Sequence, residues 1–554
     1  MISCLKKLNL IFIIQFSLIV CVHANVTKNS FDLPFKKTII MNSKLILILF
    51  LLFIGCGKST QKKHNQTPNI IFIMSDDHTS QAWGIYGGVL EKYAINQNIK
   101  RLAAEGVVLE NVFCTNSICV PSRASILTGQ YSHKNQVYTL SDALDANQLN
   151  VAQLIKRSGY QTALIGKWHL KEKPSGFDHF NILPGQGRYH NPILKNDDNW
   201  EYGNKGGKEF KGFSADVIMD ESLKWLDQRD KEKPFMLMTH FKATHEPFDY
   251  PERFKNLFEY DTIPEPISLL DFDRRHSGRS FDGQILEILA ERWRQASIKN
   301  NGRYPGLPFD TDGLDATQSR KKTYQKFVKD FLKSAAAIDD NIGRMLSYLD
   351  ENGLIDNTLI IYTSDQGYFL GEHGMFDKRM FLEESARMPF VIRFPKEIPA
   401  GKRIDDIVLN IDFPSLLLDY AGIPQPEQFQ GESFRKNLKM EATDQWRDKM
   451  YYRYYAHALN RPAHLGIRTN HYKLIFYYGL SLGMRGTYTD QATPPAWEFY
   501  DLINDPLELK NQYNNPEFKN IIAELKKDLV ELRAQNGDAQ TDGAEMKKVI
   551  QENW

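Results

Sequence analysis

Five short apolar runs separated by longer amphipathic stretches organise this 554-residue chain. The first, residues 70–74, reads Ile-Ile-Phe-Ile-Met, and similar runs lie at 162–165, 235–241, 359–362 and 390–394. An unbroken run of this length, rich in β-branched side chains, is typical of a strand buried on both faces of a parallel sheet. We therefore expect these runs to form one sheet.

Helical patterns lie between the runs. The clearest covers residues 324–349, and Gly353 is expected to end it before the next strand. Its apolar side chains recur at three- and four-residue intervals, at Phe327, Phe331, Ala335, Ile338, Ile342, Met345 and Leu349. Alternating strands and helices predict an α/β fold with a large, mostly parallel sheet flanked by helices.

Two regions depart from this alternation. Residues 261–320 are rich in Arg, Asp, Gly and Pro; they are either an insertion beside the active site that shapes substrate recognition or a solvated surface excursion. After Gly431 the pattern predicts a hairpin over 465–478 turning at Asn470, a strand over 497–502 and an amphipathic helix over 509–535. We interpret this second region as a smaller α+β domain.

The chain divides into three predicted segments: 1–67, a leader and tether; 68–430, the catalytic α/β domain; and 431–554, the C-terminal subdomain. The leader holds two signal-like runs, and the second, which begins at Met41, resembles a bacterial lipoprotein signal ending at Cys56. Its ten apolar residues, 45–54, are too few to span about 30 Å of hydrocarbon. We expect Met41 to be the true start, Cys56 to carry lipid, and the protein to be exported to the periplasm or cell surface, with only this lipid anchor in the membrane.

Composition narrows the candidate partners. Hydrophobic residues make up 42% of the chain, charged residues 25%, and the formal net charge is +1. No global field therefore attracts nucleic acid, and an anionic substrate must be held by a local group of cations. Of the cysteines, Cys4 and Cys21 fall in the leader and Cys114 is an ordinary core candidate, so no disulfide framework is expected.

Polar residues follow four of the five runs at the point where each strand should end. In an open α/β sheet, ligands bind outside the carboxyl ends of the strands. The four sets are Ser75-Asp76-Asp77-His78, Gly166-Lys167-Trp168-His169, Lys242-Ala243-Thr244-His245 and Ser364-Asp365-Gln366-Gly367. We expect them to form one site.

Four residues of these sets are oxygen donors suited to a hard divalent cation such as Ca²⁺: Asp76, Asp77, Asp365 and Gln366. Adjacent acids repel each other unless a cation lies between them. An isolated Asp-Asp pair would also suit a turn or a helix cap, but the second pair favours a metal site.

Cys119-Val-Pro-Ser-Arg123, continued by Ala-Ser-Ile-Leu-Thr128-Gly129, is the most specific motif of the chain. A structural alternative is a buried cysteine ahead of a capped helix, with Pro121 in its first turn. With the strand-end sets, however, the motif resembles that of formylglycine-dependent sulfatases of the alkaline phosphatase superfamily, over about residues 68–515.

The resemblance implies a role for each matching residue. Cys119 would be oxidised by a formylglycine-generating maturase during export to 3-oxoalanine (formylglycine), whose hydrate is the nucleophile and also binds Ca²⁺. Arg123 would hold that group, and Lys167 and Lys378 would bind sulfate. His169 would contact the nucleophilic hydroxyl and act as the base, while His245 would protonate the leaving oxygen.

The implied function is hydrolysis of sulfate esters of carbohydrates, either an algal polysaccharide such as ulvan or glycosaminoglycan-type oligosaccharides, as in Bacteroidetes-type polysaccharide sulfatases. Residues 185–192 resemble a segment of sulfatases that act on 6-sulfated N-acetylglucosamine, so we expect Arg188, His190 and the 261–320 region to meet the sugar. Two alternatives are a phosphonate monoester or phosphodiester hydrolase of the same superfamily and a lipid-anchored glycan-binding protein with a silent site. The complete catalytic set argues against the binding protein.

Overall fold

All five apolar runs form strands of one nine-stranded sheet. The computed structural model describes residues 67–272, 283–441 and 446–554, so the predicted leader and Cys56 lie outside the described residues. The strands are β1 (Asn69–Asp76), β2 (Val107–Phe113), β3 (Gln161–Lys167), β4 (His179–Leu183), β5 (Ile193–Leu194), β6 (Lys208–Glu209), β7 (Phe235–Thr244), β8 (Thr358–Ser364), β9 (Phe369–Leu370), β10 (Phe376–Asp377), β11 (Arg387–Arg393), β12 (Lys402–Ile404), β13 (Val408–Leu409), β14 (Lys449–Tyr454), β15 (His464–Thr469), β16 (Tyr472–Tyr477) and β17 (Ala496–Asp501).

The α-helices of the same residues alternate with these strands. They are α1 (Gln97–Ala104), α2 (Cys119–Thr128), α3 (Ser132–Asn135), α4 (Val151–Arg157), α5 (Ser214–Gln228), α6 (Leu286–Lys299), α7 (Ala316–Glu351), α8 (Glu383–Ala386), α9 (Phe413–Tyr420), α10 (Arg435–Leu438), α11 (Lys519–Gln535) and α12 (Ala544–Asn553).

The large sheet has the order β12-β2-β11-β8-β1-β7-β3-β4, with β13 also paired to β2. Every pairing is parallel except those of β11, which runs antiparallel to both β8 and β2. The predicted mostly parallel α/β sheet is therefore confirmed, although the fifth apolar run supplies its antiparallel strand.

Both faces of the sheet are covered, which explains the unbroken apolar runs. On β1, Ile70 and Phe72 pack on the face covered by α2, α4 and α9. Ile71 and Ile73 pack on the opposite face, against α5 and α7. Each residue of the run therefore lies in one of two cores.

The long helix α7 extends beyond the predicted 324–349 at its amino end. The Asp315 side chain caps it by accepting a hydrogen bond from the Gln318 backbone N–H at 2.8 Å, and the Gln318 side-chain oxygen accepts one from the Asp315 N–H at 3.2 Å. This capping box fixes the start before the apolar periodicity begins. Gly353, with φ of +65°, follows the helix as predicted.

The described part of the 261–320 region contributes to a hydrophobic core that it shares with α7 and with residues such as Phe248 and Tyr368. Trp293 on α6 and Phe309 after it lie buried with Tyr324 and Phe327 of α7. Part of the described region is therefore buried, while Ile267 and Ile298 remain exposed; its role in substrate recognition stays a prediction.

The C-terminal part contains a four-stranded antiparallel sheet in the order β14-β15-β16-β17, with α11 packed against it. The hairpin predicted at Asn470 is confirmed by β15 and β16. The predicted helix start at residue 509 is wrong, because α11 begins at Lys519. Pro516 lies in the first turn of a short 3₁₀ segment and Asn515 caps it, so the chain ahead of Pro516 is not helical.

Two further findings bear on the predictions. No helix among the described residues is long and apolar enough to cross a membrane. Cys114 and Cys119 are both buried free thiols, so the part of the chain that the structure describes holds no disulfide.

Candidate active site

The four polar sets meet because β8, β1, β7 and β3 are adjacent and parallel. Asp76 ends β1, Lys167 ends β3, and His245 and Asp365 follow β7 and β8 directly. The backbone N–H of Asp77 donates to Asp365 Oδ1 at 3.0 Å, which joins two of the sets. The predicted convergence at one sheet edge is what the fold produces.

Cys119 lies at the first residue of α2, a helix whose ten residues are all buried. Its Sγ is 3.8 Å from Asp77 Oδ1 and 3.8 Å from Gln366 Nε2. Burial raises the pKa of the Cys119 thiol well above its usual value. The unmodified side chain is therefore a neutral thiol, whereas a cysteine nucleophile needs a lowered pKa.

Arg123, one turn along α2, ties three elements together. Its Nε donates to Asp365 Oδ2 at 2.9 Å, and its terminal nitrogens lie 3.5 Å from Asp76 Oδ1 and 2.8 Å from the carbonyl oxygen of Lys167. Because this guanidinium is fully buried, its charge is compensated only by the two carboxylates it touches. Arg123 therefore fixes the carboxylates relative to the helix that carries Cys119.

Two buried lysines face the two adjacent aspartates. Lys167 Nζ contacts Asp76 Oδ2, and Lys378 Nζ donates to Asp77 Oδ1 and Oδ2 at 2.7 and 2.5 Å. Burial favours the neutral form of Asp76, but Lys167 and the other cations outweigh it and hold the pKa of Asp76 well below its usual value. The site thus sets ammonium groups directly against carboxylates.

The donor set fits a hard cation. Ligand atoms of Asp76, Cys119 and Asp365 all lie within 4.8 Å of one another. Within the described residues, Asp76 Oδ1 and Gln366 Oε1 are buried and have no hydrogen-bond partner, which is unusual for buried oxygens. Carboxylate and carboxamide oxygens are the ligands that Ca²⁺ prefers. The Gln366 amide presents its nitrogen to Asp77, and half a turn of the amide would present its oxygen instead.

The two predicted histidines differ in their surroundings. His245 Nε2 lies 3.8 Å from Asp77 Oδ2, and its Nδ1–H donates to the carbonyl oxygen of Glu246 at 2.7 Å. His169 has a positive φ of 63°, and its buried Nδ1 has no hydrogen-bond partner among the described residues. Burial and the charge of Lys167 lower the pKa of both imidazoles, so both are neutral at pH 7 in this state.

The segment 185–192 reaches the site through residues that the sequence analysis did not select. Gln186 Oε1 accepts a hydrogen bond from Lys167 Nζ at 2.6 Å, and the Tyr189 hydroxyl donates to the carbonyl oxygen of His245 at 2.6 Å. Arg188 pairs with Glu209 at the surface, and His190 with Asp249. The contact of this segment with the sugar stays a prediction, and nothing in its sequence distinguished the inward residues from the outward ones.

Two more features surround the reaction centre. Lys242 is buried with its Nζ 4.7 Å from the centre of the Tyr189 ring, and burial, reinforced by Lys167, lowers its pKa to about 7. A cavity of about 370 Å³ opens beside His169, and its lining includes Gln186 and Trp200.

Comparison with known families gives two matches. Residues 68–423 match the model described as Sulfatase, and residues 371–535 match the model described as N-sulphoglucosamine sulphohydrolase, C-terminal. The first match alone covers more than half of the chain.

Individual proteins give a consistent result. An N-acetylglucosamine-6-O-sulfatase of Bacteroides thetaiotaomicron is 37% identical over 544 residues, covering 91% of this chain and 93% of that protein. An ulvan-active sulfatase of Formosa agariphila is 24% identical, over 89% and 87% of the two chains. A solved structure, described as a complex with its substrate D-glucosamine-2-N,6-O-disulfate, aligns with a TM-score of 0.77 and 35% identity over 85% of this chain and 99% of its own.

Proposed function

Because the chain belongs to the sulfatase family, we propose that it hydrolyses the 6-O-sulfate of N-acetylglucosamine or N-sulfoglucosamine units in glycosaminoglycan-type saccharides. Membership makes it a sulfuric ester hydrolase. The observation that carries the narrower proposal is the 37% identity with an N-acetylglucosamine-6-O-sulfatase along nearly the whole of both chains. The ulvan-active relative is more distant, so an algal polysaccharide is the second candidate.

We propose that Asp76, Asp77, Asp365, Gln366 and the converted side chain of residue 119 hold Ca²⁺. When bound, calcium supplies fixed positive charge beside the sulfate oxygens and the residue 119 oxygen. Two buried oxygens support this assignment: Gln366 Oε1, which has no hydrogen-bond partner among the described residues, and Asp76 Oδ1, which has only the 3.5 Å ion pair with Arg123 there. The neutral, deeply buried thiol of Cys119 supports its conversion, since the unmodified side chain is a poor nucleophile.

Lys167 and Lys378 are the groups proposed to hold the sulfate. Each ammonium is buried and confined by a carboxylate, so neither must be desolvated or ordered when the anion arrives. The two cations reach the centre from different elements, the end of β3 and the loop after β10. Such preorganised charge stabilises a sulfuryl group in transfer.

His245 is the proposed general acid for the departing sugar oxygen. Its Nδ1–H is committed to a carbonyl oxygen, which leaves Nε2 as the atom that exchanges a proton with the substrate. The imidazole is neutral in this state, and an anionic substrate near Nε2 would favour the protonated form. A sugar alkoxide is a poor leaving group, so this proton is needed for the natural ester.

His169 is the proposed base at the residue 119 hydroxyl. Its low pKa keeps it unprotonated at neutral pH, as an acceptor of a proton must be. Arg123, one turn further along α2, is proposed to hold the same group.

The decisive experiment measures sulfate release from N-acetylglucosamine-6-sulfate, a 3-sulfated isomer and sulfated ulvan oligosaccharides, and release of the phenol from an aryl phosphonate monoester. We expect the 6-sulfated amino sugar to be the preferred substrate by a factor of about 100 or more, a difference typical of sites that hydrogen-bond their substrate. Preferred turnover of the phosphonate ester would indicate the phosphonate monoester hydrolase alternative. Binding without turnover of any ester by protein made with the maturase would indicate a glycan-binding protein.

We also propose that the protein is an exported lipoprotein anchored through Cys56 and matured by a formylglycine-generating enzyme. Metabolic labelling with a fatty acid, compared between the parent chain and Cys56→Ala, tests the anchor. Mass spectrometry of the peptide that contains Cys119 tests the conversion.

A further inference from the structure

The loop that carries His245 is held from outside the reaction centre on both sides. On one side, the Tyr189 hydroxyl donates to the His245 carbonyl oxygen at 2.6 Å. On the other side, the next residue, Glu246, accepts the imidazole Nδ1–H through its own carbonyl oxygen at 2.7 Å. The orientation of the ring therefore depends on the peptide group of Glu246.

The Glu246 side chain is anchored by the described part of the 261–320 region. Arg292 on α6 pairs with Oε2 at 2.7 Å, and the Tyr304 hydroxyl donates to Oε1. Tyr304 is buried, and Glu246 is only 14% exposed. The contact with Tyr304 is therefore shielded from water, whereas the pair with Arg292 is partly exposed, because the Arg292 side chain is 42% exposed.

The anchors themselves are rigid. Arg292 belongs to a 14-residue helix whose Trp293 is buried in the core that α6 shares with α7. Tyr304 packs edge-on against Trp293, with 6.3 Å between ring centroids. The Glu246 carboxylate is thus fixed to the packed body of the molecule rather than to a surface loop.

We propose that Glu246 is a positioning residue for the general acid, held in place by Arg292 and Tyr304. Its clamped carboxylate fixes the backbone of Glu246, and the Glu246 carbonyl oxygen fixes the tautomer and direction of His245, so that Nε2 faces the leaving oxygen. The inference rests on the proposed role of His245. It gives the described 283–304 segment a role in proton transfer, in addition to any contact with the sugar.

The test compares two classes of leaving group. Glu246→Ala should reduce kcat/KM for 6-sulfated N-acetylglucosamine by about 10- to 100-fold, the scale of a misplaced catalytic group. The same variant should reduce kcat/KM for an activated aryl sulfate by less than about threefold, because a good leaving group does not need the proton. Tyr304→Phe, which removes only the hydroxyl contact, should show the same selectivity with a smaller loss.

The helix α6 offers a matched control. Arg292 and Arg294 are 42% and 39% exposed, and each forms an ion pair of 2.7 Å, but Arg294 pairs with Glu291 instead of Glu246. Arg292→Ala should lower kcat/KM for the sugar sulfate selectively. Arg294→Ala should change kcat/KM by less than about twofold for both the sugar sulfate and the aryl sulfate. Equal losses in the two arginine variants would overturn the clamp.

A double variant separates failure of the clamp from failure of the general-acid role. If Glu246 acts through the imidazole, adding Glu246→Ala to His245→Ala should change kcat/KM for the sugar sulfate by less than about twofold. The clamp alone would be overturned by the following combination of results. His245→Ala lowers kcat/KM selectively for the sugar sulfate, whereas Glu246→Ala and Tyr304→Phe lower kcat/KM equally for the sugar sulfate and the aryl sulfate. If His245→Ala lowered kcat/KM equally for the sugar sulfate and the aryl sulfate, the general-acid role would be overturned, and the clamp with it.

Discussion

The reaction centre has two halves that are built in different ways. The anionic half, around Asp76, Asp77 and Asp365, is made of buried groups that end adjacent strands and neutralise one another directly. The half around His245 is supported by Tyr189 and by the Glu246 clamp. Both halves follow strands of the large sheet, and the histidine half is held in addition by Tyr189, Arg292 and Tyr304.

This difference indicates what each half contributes. Strand ends are the most rigid positions in an α/β fold, and they carry the groups proposed to bind the metal and the sulfate, which every substrate of the enzyme shares. The inserted segments hold the group proposed to act on the leaving oxygen, which differs between substrates. We therefore expect changes in the strand-end half to affect all esters and changes in the histidine half to depend on the ester.

The largest expected effect is that of Cys119→Ala, which should lower turnover of sugar and aryl sulfates alike by about 10⁴-fold or more, since loss of a nucleophile removes the covalent route. The thermal midpoint should move by only a few degrees, because the change removes one buried sulfur atom. Measurable sulfate release well above that of a no-enzyme control would contradict the assignment of the nucleophile.

Removal of the metal should have the second largest effect on activity. A chelator should abolish hydrolysis of both ester classes, and Ca²⁺, but not Zn²⁺, should restore it, because the donor set is oxygen-rich. A second readout does not depend on activity: added Ca²⁺ should raise the thermal midpoint, as expected for a ligand that binds the folded state. Asp76→Asn and Gln366→Ala should weaken that shift. An unchanged midpoint in every case would argue against a calcium site here.

His245→Ala should lower the activity toward the sugar sulfate much more than the activity toward an aryl sulfate. We expect a loss of about 10²- to 10⁴-fold for the sugar sulfate, the usual contribution of general acid catalysis, and less than about tenfold for an activated aryl sulfate. His190→Ala, at an exposed histidine paired with Asp249, is the matched control. If both esters lost activity equally, His245 would be a sulfate-binding residue instead.

The smallest expected effect is that of Arg188→Ala. The guanidinium is 53% exposed and pairs with Glu209, 3.0 Å away, at the surface. Removing such a pair should raise KM for a sugar monosulfate by no more than about threefold and leave the aryl sulfate unchanged. A larger rise in KM for the sugar sulfate alone would indicate that Arg188 contacts the sugar, as the sequence analysis expected.

The strand-end half could be predicted from the sequence because its signals are local. An apolar run followed directly by acids, lysine or histidine defines both a strand and its ligand, as at Asp76 and Lys167, and parallel pairing brings the ends together. Strand β2 was not predicted, since Glu110 and Asn111 interrupt its apolar pattern. The antiparallel direction of β11 was not predictable either, because burial on both faces produces the same run in either direction.

The histidine half could not be predicted in the same way. Glu246, Arg292 and Tyr304 are separated by up to 58 residues, and their contact depends on how α6 packs against α7. Each looks like an ordinary surface residue by itself. The sequence identified His245 but gave no information on what holds it.

The burial of Cys119 has a consequence for the biogenesis of the enzyme. The side chain is 1% exposed, and every residue of the helix that contains it is buried. If residue 119 is converted as proposed, we expect the maturase to act before this part of the chain folds, because in the folded protein every residue of the helix around it is buried and cannot be bound by a second enzyme. Chains that fold first are then permanently inactive while remaining stable. The specific activity of a preparation would accordingly depend on the fraction of chains that were modified before they folded. It would not measure how much of the protein is correctly folded.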